Sequence, residues 1–183
     1  TKLAQYQQQF KYILVDEFQD TNYSQNLLVN LLVDENQNLT VVADDDQAIY
    51  RWRGASFSNV VQFRKNYPTA KLVTLNQNYR STQEILDRSY DLIQHNNPDR
   101  LEIKEKIDKK LKSITVQGEK VEFMHFDRVD SEALGVIQKI QELGVDYKDV
   151  AILVRANNHA EPFIKAFEEH GVPFQFLGPG QLF

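Results

Sequence analysis

Residues 10–21 read FKYILVDEFQDT, an apolar run that ends on adjacent acids, Asp16 and Glu17, with Gln19 and Asp20 close behind. Tyr12–Val15 is short, apolar and strand-like. A strand ending so abruptly on carboxylates admits two readings. The acids can serve the turn before the next helix, or they can sit at a strand tip to hold something. The surrounding sequence bears on the choice. Asn22–Val33 has helical spacing with Thr21 or Asn22 as N-cap, and Leu39–Ala43 reads as a second strand. Strand, helix and strand in succession predict a parallel sheet, and parallel sheets place ligands at the carboxyl ends of their strands.

The alternation continues outward. Ser58–Asn66 reads as a helix and Ala70–Leu75 as a third strand. Thr82–Gln94 reads as a helix, with Ser81 as cap and Glu84 three residues on, the spacing of a capping box. Residues 96–118 change character: they are polar, they carry Lys104, Lys106, Lys109, Lys110 and Lys112, and they read as a connector with a solvated lysine face. Lys120–Phe126 is then a predicted strand, Ser131–Leu143 a helix and Val150–Arg155 a strand. Glu161–His170 is a helix closed by Gly171, and Pro173–Leu177 is a last strand. The fold class expected is α/β, with two parallel sheets flanked by helices and divided within 76–118.

Composition narrows the function. A net charge of −5 argues against a general polyanion binder, though not against a nucleic-acid site made of a few placed residues. There is no cysteine, so neither a disulfide framework nor a thiolate zinc site is possible. His95, His125, His159 and His170 are scattered and show no metal-ligand spacing. No stretch reaches the roughly 18 apolar residues of a membrane span, and no signal peptide is visible.

Two further stretches carry chemistry. In VVADDDQAIYRWRGA, residues 41–55, a second predicted strand ends on acids, Asp44 to Asp46. Gln47 follows, then Tyr50 and Trp52 interleaved with Arg51 and Arg53. Aromatics among arginines suit stacked single-stranded bases and their phosphates, each stack contributing roughly 1–3 kcal/mol. A core tryptophan ringed by surface arginines is the plainer reading. Three consecutive acids could suggest a metal-dependent nuclease, but neighbouring residues on a strand end are not expected to face one ion. In LNQNYRS, residues 75–81, Tyr79 and Arg80 stand just before a helix, where an arginine can reach a phosphate.

Taken in order, VDEFQDT, DDDQAIYRWRGA and LNQNYRST resemble motifs II, III and IV of superfamily 1 DNA helicases of the UvrD/Rep/PcrA type. The resemblance covers the whole chain. It implies parts of two RecA-like P-loop NTPase motor domains: residues 1–77 as the later part of domain 1A, and 78–183 as the first part of 2A, with 96–118 as a polar connector. It implies ATP and Mg²⁺ as cofactors, with Asp16 holding Mg²⁺ and Glu17 activating water. Gln47 would sense the γ-phosphate and Arg80 would act as an arginine finger. Gln19 would couple the nucleotide to DNA, and Tyr79 would stack near the adenine. Tyr50, Trp52 and Arg53 would meet single-stranded DNA, with Trp52 at least partly exposed. The partners implied are single-stranded DNA, duplex junctions and the remaining subdomains of a longer parent chain, in the cytoplasm and away from membranes.

Ala43 and Ala48 depart from the glycine and serine that many members carry, small for small. No G-x-x-x-x-G-K-[ST] stretch occurs, and motifs V and VI are missing. The 183 residues alone are therefore expected to be inactive as an ATPase. The alternatives are part of a RecB/AddA-type helicase-nuclease subunit, or a non-catalytic DNA- or partner-binding domain that kept the fold.

Overall fold

A computed structural model describes residues 1–50, 58–115 and 117–178. The chain forms two compact units, Thr1–Val121 and Glu122–Phe183.

The first unit opens with a helix the sequence reading did not contain, α1 (Lys2–Gln9). Apart from Tyr6 its residues are good helix formers, and the Thr1 side chain accepts from the Ala4 N–H. Strand β1 (Ile13–Val15) follows, then helix α2 (Tyr23–Leu32) and strand β2 (Leu39–Val41). The two strands pair in parallel, Ile13 opposite Leu39 and Val15 opposite Val41, which is the arrangement expected from the sequence. Asn22 and Gln25 form a reciprocal capping box at the start of α2. At the other end, the Gln7 amide of α1 donates to the carbonyls of Leu31 and Val33 and so satisfies two end groups of α2.

Helix α3 (Ser58–Asn66) closes over the turn that follows β1. Phe18, 1% exposed, meets the Phe63 ring edge to face at 5.8 Å. Buried Asn59 donates to the Thr21 carbonyl at 2.7 Å, and Tyr67 donates to Asn30 at 2.9 Å. These side-chain bonds hold α2, α3 and the Phe18–Asp20 turn as one block.

Strand β3 (Gln77–Asn78), helix α4 (Gln83–Ile93), a single turn α5 (Leu101–Lys104) and strand β4 (Lys112–Ser113) complete the unit. Strands β3 and β4 pair in parallel, Gln77 opposite Lys112. The expected Ser81–Glu84 capping box does not form. Thr82 is the N-cap, one residue later, without a side-chain cap bond. Asn78 Oδ1 instead takes the N–H groups of Arg80 and Ser81, and Glu84 turns along the helix to Arg88. The polar connector is likewise more than a loop, because it contains α5 and β4.

In the second unit, α6 (Val129–Leu143) and α7 (Glu161–Glu169) pack through Ala133, Ile137, Ile140, Ala166 and Phe167. The spacing 133, 137, 140 is one face of a helix. Val150 and Ile152 pack against the same core. Gly171, at φ +64°, closes α7 as expected. Its N–H bonds to Glu168 O and that of Val172 to Phe167 O, the paired bonds of a Schellman motif. The predicted strands at 70–75, 120–126, 150–155 and 173–177 have no ladder partner among the described residues. Their outward side chains, such as Phe123 and Leu153, are exposed. Apolar content marks a segment as fit for a sheet, but only a neighbouring strand makes it one.

Candidate functional site

The carboxyl ends of β1 and β2 lie side by side, because their register is parallel and unshifted. Past β1 the chain turns at once. Glu17 takes a left-handed backbone, φ +49° and ψ +43°, uncommon for a residue with a β-carbon and the kind of strain that clusters at functional sites. The turn puts both acids at the tip, where Asp16 and Glu17 are exposed. Asp16 Oδ1 accepts from the Glu17 N–H at 2.9 Å.

Gln19 is 1% exposed and uses both ends of its amide. Its Nε2 donates to Glu17 Oε2 at 2.5 Å, and its Oε1 accepts from the Asp44 N–H at 3.1 Å. Past β2 the chain curls into a 3-10 turn, Asp45–Gln47. Gln47 is exposed, and its Nε2 donates to Asp44 Oδ2 at 2.7 Å. A continuous hydrogen-bonded path thus runs Glu17–Gln19–Asp44–Gln47 across the two strand tips.

The three acids of the second stretch do converge, against the sequence expectation. One oxygen from each of Asp44, Asp45 and Asp46 lies within 4.8 Å of the others. The reason is the 3-10 turn, which curls side chains that an extended strand would send to opposite faces. Their common partner is not a metal but a lysine. Lys109 Nζ donates to Asp44 Oδ1 and Asp46 Oδ2, both at 2.8 Å, and also to Asp45 Oδ1. Arg100, with a side chain only 3% exposed, grips Asp46 through Nε at 2.8 Å and Nη2 at 2.7 Å. Its Nη1 lies 2.6 Å from Glu102 Oε2, a charge contact whose angle falls short of a hydrogen bond. The Leu101 N–H donates to Asp45 Oδ2.

Burial opposes the charge on Asp46, but the hydrogen bonds and charges of Arg100 and Lys109 outweigh it and hold its pKa below the ordinary carboxylate value. Burial also opposes the charge on Lys109, and its bonds to the three aspartates outweigh that and raise its pKa. The hydrogen bond to Asp46 is the largest influence on Arg100, and it raises that pKa further.

The lysine run is therefore not a uniform solvated face, since Lys109 is half-buried among acids 63 to 65 residues earlier. The sequence reading does not single out Arg100 or Glu102, and it names Asp44 and Lys109 without pairing them. Nothing in the local pattern separates Lys109 from Lys106 or Lys110, because its partners are remote.

Tyr79 and Arg80 are exposed and follow β3. Tyr79 donates to Gln77 Oε1 at 2.9 Å, and the Arg80 N–H is held by Asn78. No hydrogen bond or ion pair among the described residues ties them to Glu17 or Gln47. Tyr50 is 38% exposed. Trp52 and Arg53, with the exposure expected of Trp52, lie outside the described residues.

The donor set at the tips of β1 and β2 suits a hard divalent cation. Asp16 and Glu17 offer exposed carboxylate oxygens, and their described bonds are to an N–H and an amide rather than to a cationic side chain. The Asp44–Asp46 cluster does not suit one, because the Lys109 ammonium already supplies the positive charge there.

Among the described residues, no helix is long and apolar enough to cross a membrane. Compared with known proteins, residues 1–68 match the UvrD/REP helicase N-terminal domain and residues 73–183 the UvrD-like helicase C-terminal domain. The chain is 41% identical over 180 residues to the ATP-dependent DNA helicase PcrA of Leuconostoc citreum, covering 96% of this chain and 23% of that protein. It is 39% identical over 184 residues to the PcrA of Staphylococcus epidermidis, covering 99% and 24%, and 40% identical to that of Staphylococcus aureus with the same coverage. The chain thus spans about a quarter of the length of the curated relatives it matches. Matched along nearly all of its length by these two models, the chain belongs to the UvrD-like helicase family.

Proposed function

We propose that this chain is the part of an ATP-dependent DNA helicase that activates water for ATP hydrolysis and links hydrolysis to movement along single-stranded DNA. The observation that carries the reading is the path Glu17–Gln19–Asp44–Gln47 across two parallel strand tips. Glu17 takes the proton of a water whose oxygen attacks the γ-phosphorus, while the bond to the leaving ADP oxygen breaks. Gln47, steered by Asp44, contacts the γ-phosphate or that water. Asp16 holds Mg²⁺, which when bound neutralises phosphate charge. Arg80 approaches the same phosphate as a finger, and Tyr79 stacks by the adenine. Gln19, bonded at both ends, carries the change from Glu17 to the turn leading to Tyr50, Trp52 and Arg53, which meet the bases. In this reading residues 1–77 belong to motor domain 1A and 78–183 to 2A, and the protein works in the cytoplasm on single strands and duplex junctions in repair or replication.

The test is phosphate release by the full-length protein with ATP, Mg²⁺ and single-stranded DNA. The reading expects DNA-stimulated turnover that Glu17→Gln abolishes, together with a fall in Trp52 fluorescence on adding oligo-dT. Turnover that Glu17→Gln leaves intact sinks it.

A further inference from the structure

We infer that Lys109 is a positioning residue for hydrolysis: its ammonium fixes Asp44, and Asp44 in turn sets Gln47 and the Gln19–Glu17 pair. The inference rests on the roles proposed above for Glu17 and Gln47, and adds a residue that lies outside the three motifs.

Asp44 is the hub of the site. Its N–H holds Gln19, its Oδ2 holds Gln47, and its Oδ1 is shared by the Asp46 N–H at 3.1 Å and Lys109 Nζ at 2.8 Å. Three carboxylates converging in one 3-10 turn repel one another unless a cation sits among them. Take the ammonium away and the turn relieves itself by spreading, and Asp44 cannot move without moving both glutamines.

Lys109 is itself held in place. Its N–H donates to Glu102 Oε1 at 3.3 Å, the same oxygen that accepts from Tyr90 Oη at 2.9 Å. Arg100 bridges Glu102 and Asp46. The segment 100–109 therefore grips the acid turn at both of its ends. Three residues beyond Lys109 the chain enters β4, which pairs with β3 directly before Tyr79 and Arg80. The position of the Arg80 segment is thus mechanically joined, through β4 and Lys109, to the position of Gln47. Among the described residues, no hydrogen bond or ion pair makes that connection directly.

A merely structural ion cluster predicts lost stability with intact turnover in the folded protein. Positioning predicts a loss in kcat, because a reacting group displaced by about 1 Å costs on the order of 100-fold. The experiment compares wild type, Lys109→Met, Lys109→Gln and Lys139→Met in the full-length protein. DNA-stimulated phosphate release is measured at saturating and limiting ATP, well below each variant's melting midpoint. The expected result is a kcat lower by about 10-fold or more in Lys109→Met, with KM for ATP within about 2-fold of wild type. Lys139→Met, which removes a surface ion pair with Glu122, should match wild type. Lys109→Gln also removes the ammonium but keeps a polar side chain, and it keeps the test open if Lys109→Met does not fold. A folded Lys109 variant of either kind with wild-type kcat overturns the inference, whatever its KM. Failure of the underlying reading looks different: wild type then shows no DNA-stimulated release, or release that Glu17→Gln does not touch, and the inference falls with it.

Discussion

Lys109 Nζ stands 2.8 Å from Asp44 Oδ1, although 65 residues separate them in the chain. The contact joins the connector to the tip of β2 and makes one unit of two segments that the sequence presents as unrelated. Two consequences of it can be measured, and two more of the structure elsewhere.

The first concerns pH. Asp46 has a lowered pKa in the fold, so its stabilisation is fully present above about pH 4 and is lost as pH falls through the lowered value. Lys109 has a raised pKa, so its stabilisation is fully present below about pH 10 and is lost as pH rises through the raised value. The difference in melting midpoint between wild type and Lys109→Met should therefore hold steady from about pH 5 to pH 9 and narrow on either side. Circular dichroism melts across this range give the answer. A difference that persists unchanged far above pH 11 contradicts the assigned role of the ammonium.

Removing Lys109 should also expose a latent cation site. Lys109→Met leaves three converging carboxylates without their partner, and breaking a buried pair in this way costs about 3 kcal/mol. Millimolar Ca²⁺ or Mg²⁺ should recover part of that loss in the variant and change wild type little, because the ammonium fills the space in wild type. Denaturant melts with and without the ions decide it. By contrast Lys139→Met should leave the melting midpoint nearly unchanged, as expected of an exposed pair.

Glu17→Gln should separate stability from activity. Gln19 Nε2 donates to Glu17 Oε2, and a glutamine can offer its own amide oxygen to the same donor. The melting midpoint should change little, while turnover in the full-length protein falls by about 100-fold or more, the contribution of a positioned general base. A variant that loses stability and activity together points instead to a structural role for the carboxylate.

Gly171→Ala should destabilise the second unit by about 1 kcal/mol, the penalty of a β-carbon in a left-handed backbone. At Gly171 (φ +64°) an added β-carbon meets nothing within 4 Å, so backbone strain is the whole effect. Urea melts suffice to measure it, and an unchanged midpoint denies the Schellman cap its part in ending α7.

Much of this architecture is legible from local pattern. Asn22 before an apolar helical run marks the start of α2, and Gly171 after Glu161–His170 marks the end of α7, because caps are decided by residues a few positions apart. The tips of β1 and β2 are legible because apolar runs stop on acids there. The Ser81–Glu84 box fails because Asn78 Oδ1 already accepts from the Ser81 N–H, the group that Glu84 would take in such a box. Helix α1 escapes notice because its glutamine-rich sequence has helix propensity but few apolar residues. The unpaired apolar segments mislead for the opposite reason, since they have the pattern of strands but no neighbour to pair with among the described residues.

The sequence by itself determined the family, through three ordered motifs, and determined which side chains stand at the strand tips, because strand ends and turns are local features. The tertiary structure alone decided what those side chains touch. Gln19 spans from Glu17 to Asp44 only because β1 and β2 pair in parallel register. Asp44, Asp45 and Asp46 surround a lysine rather than a metal only because the connector returns Lys109 to them. Charge attraction acts over a few ångströms of space and is blind to chain separation, so the partner of an acid 65 residues away cannot be read from its neighbours in sequence.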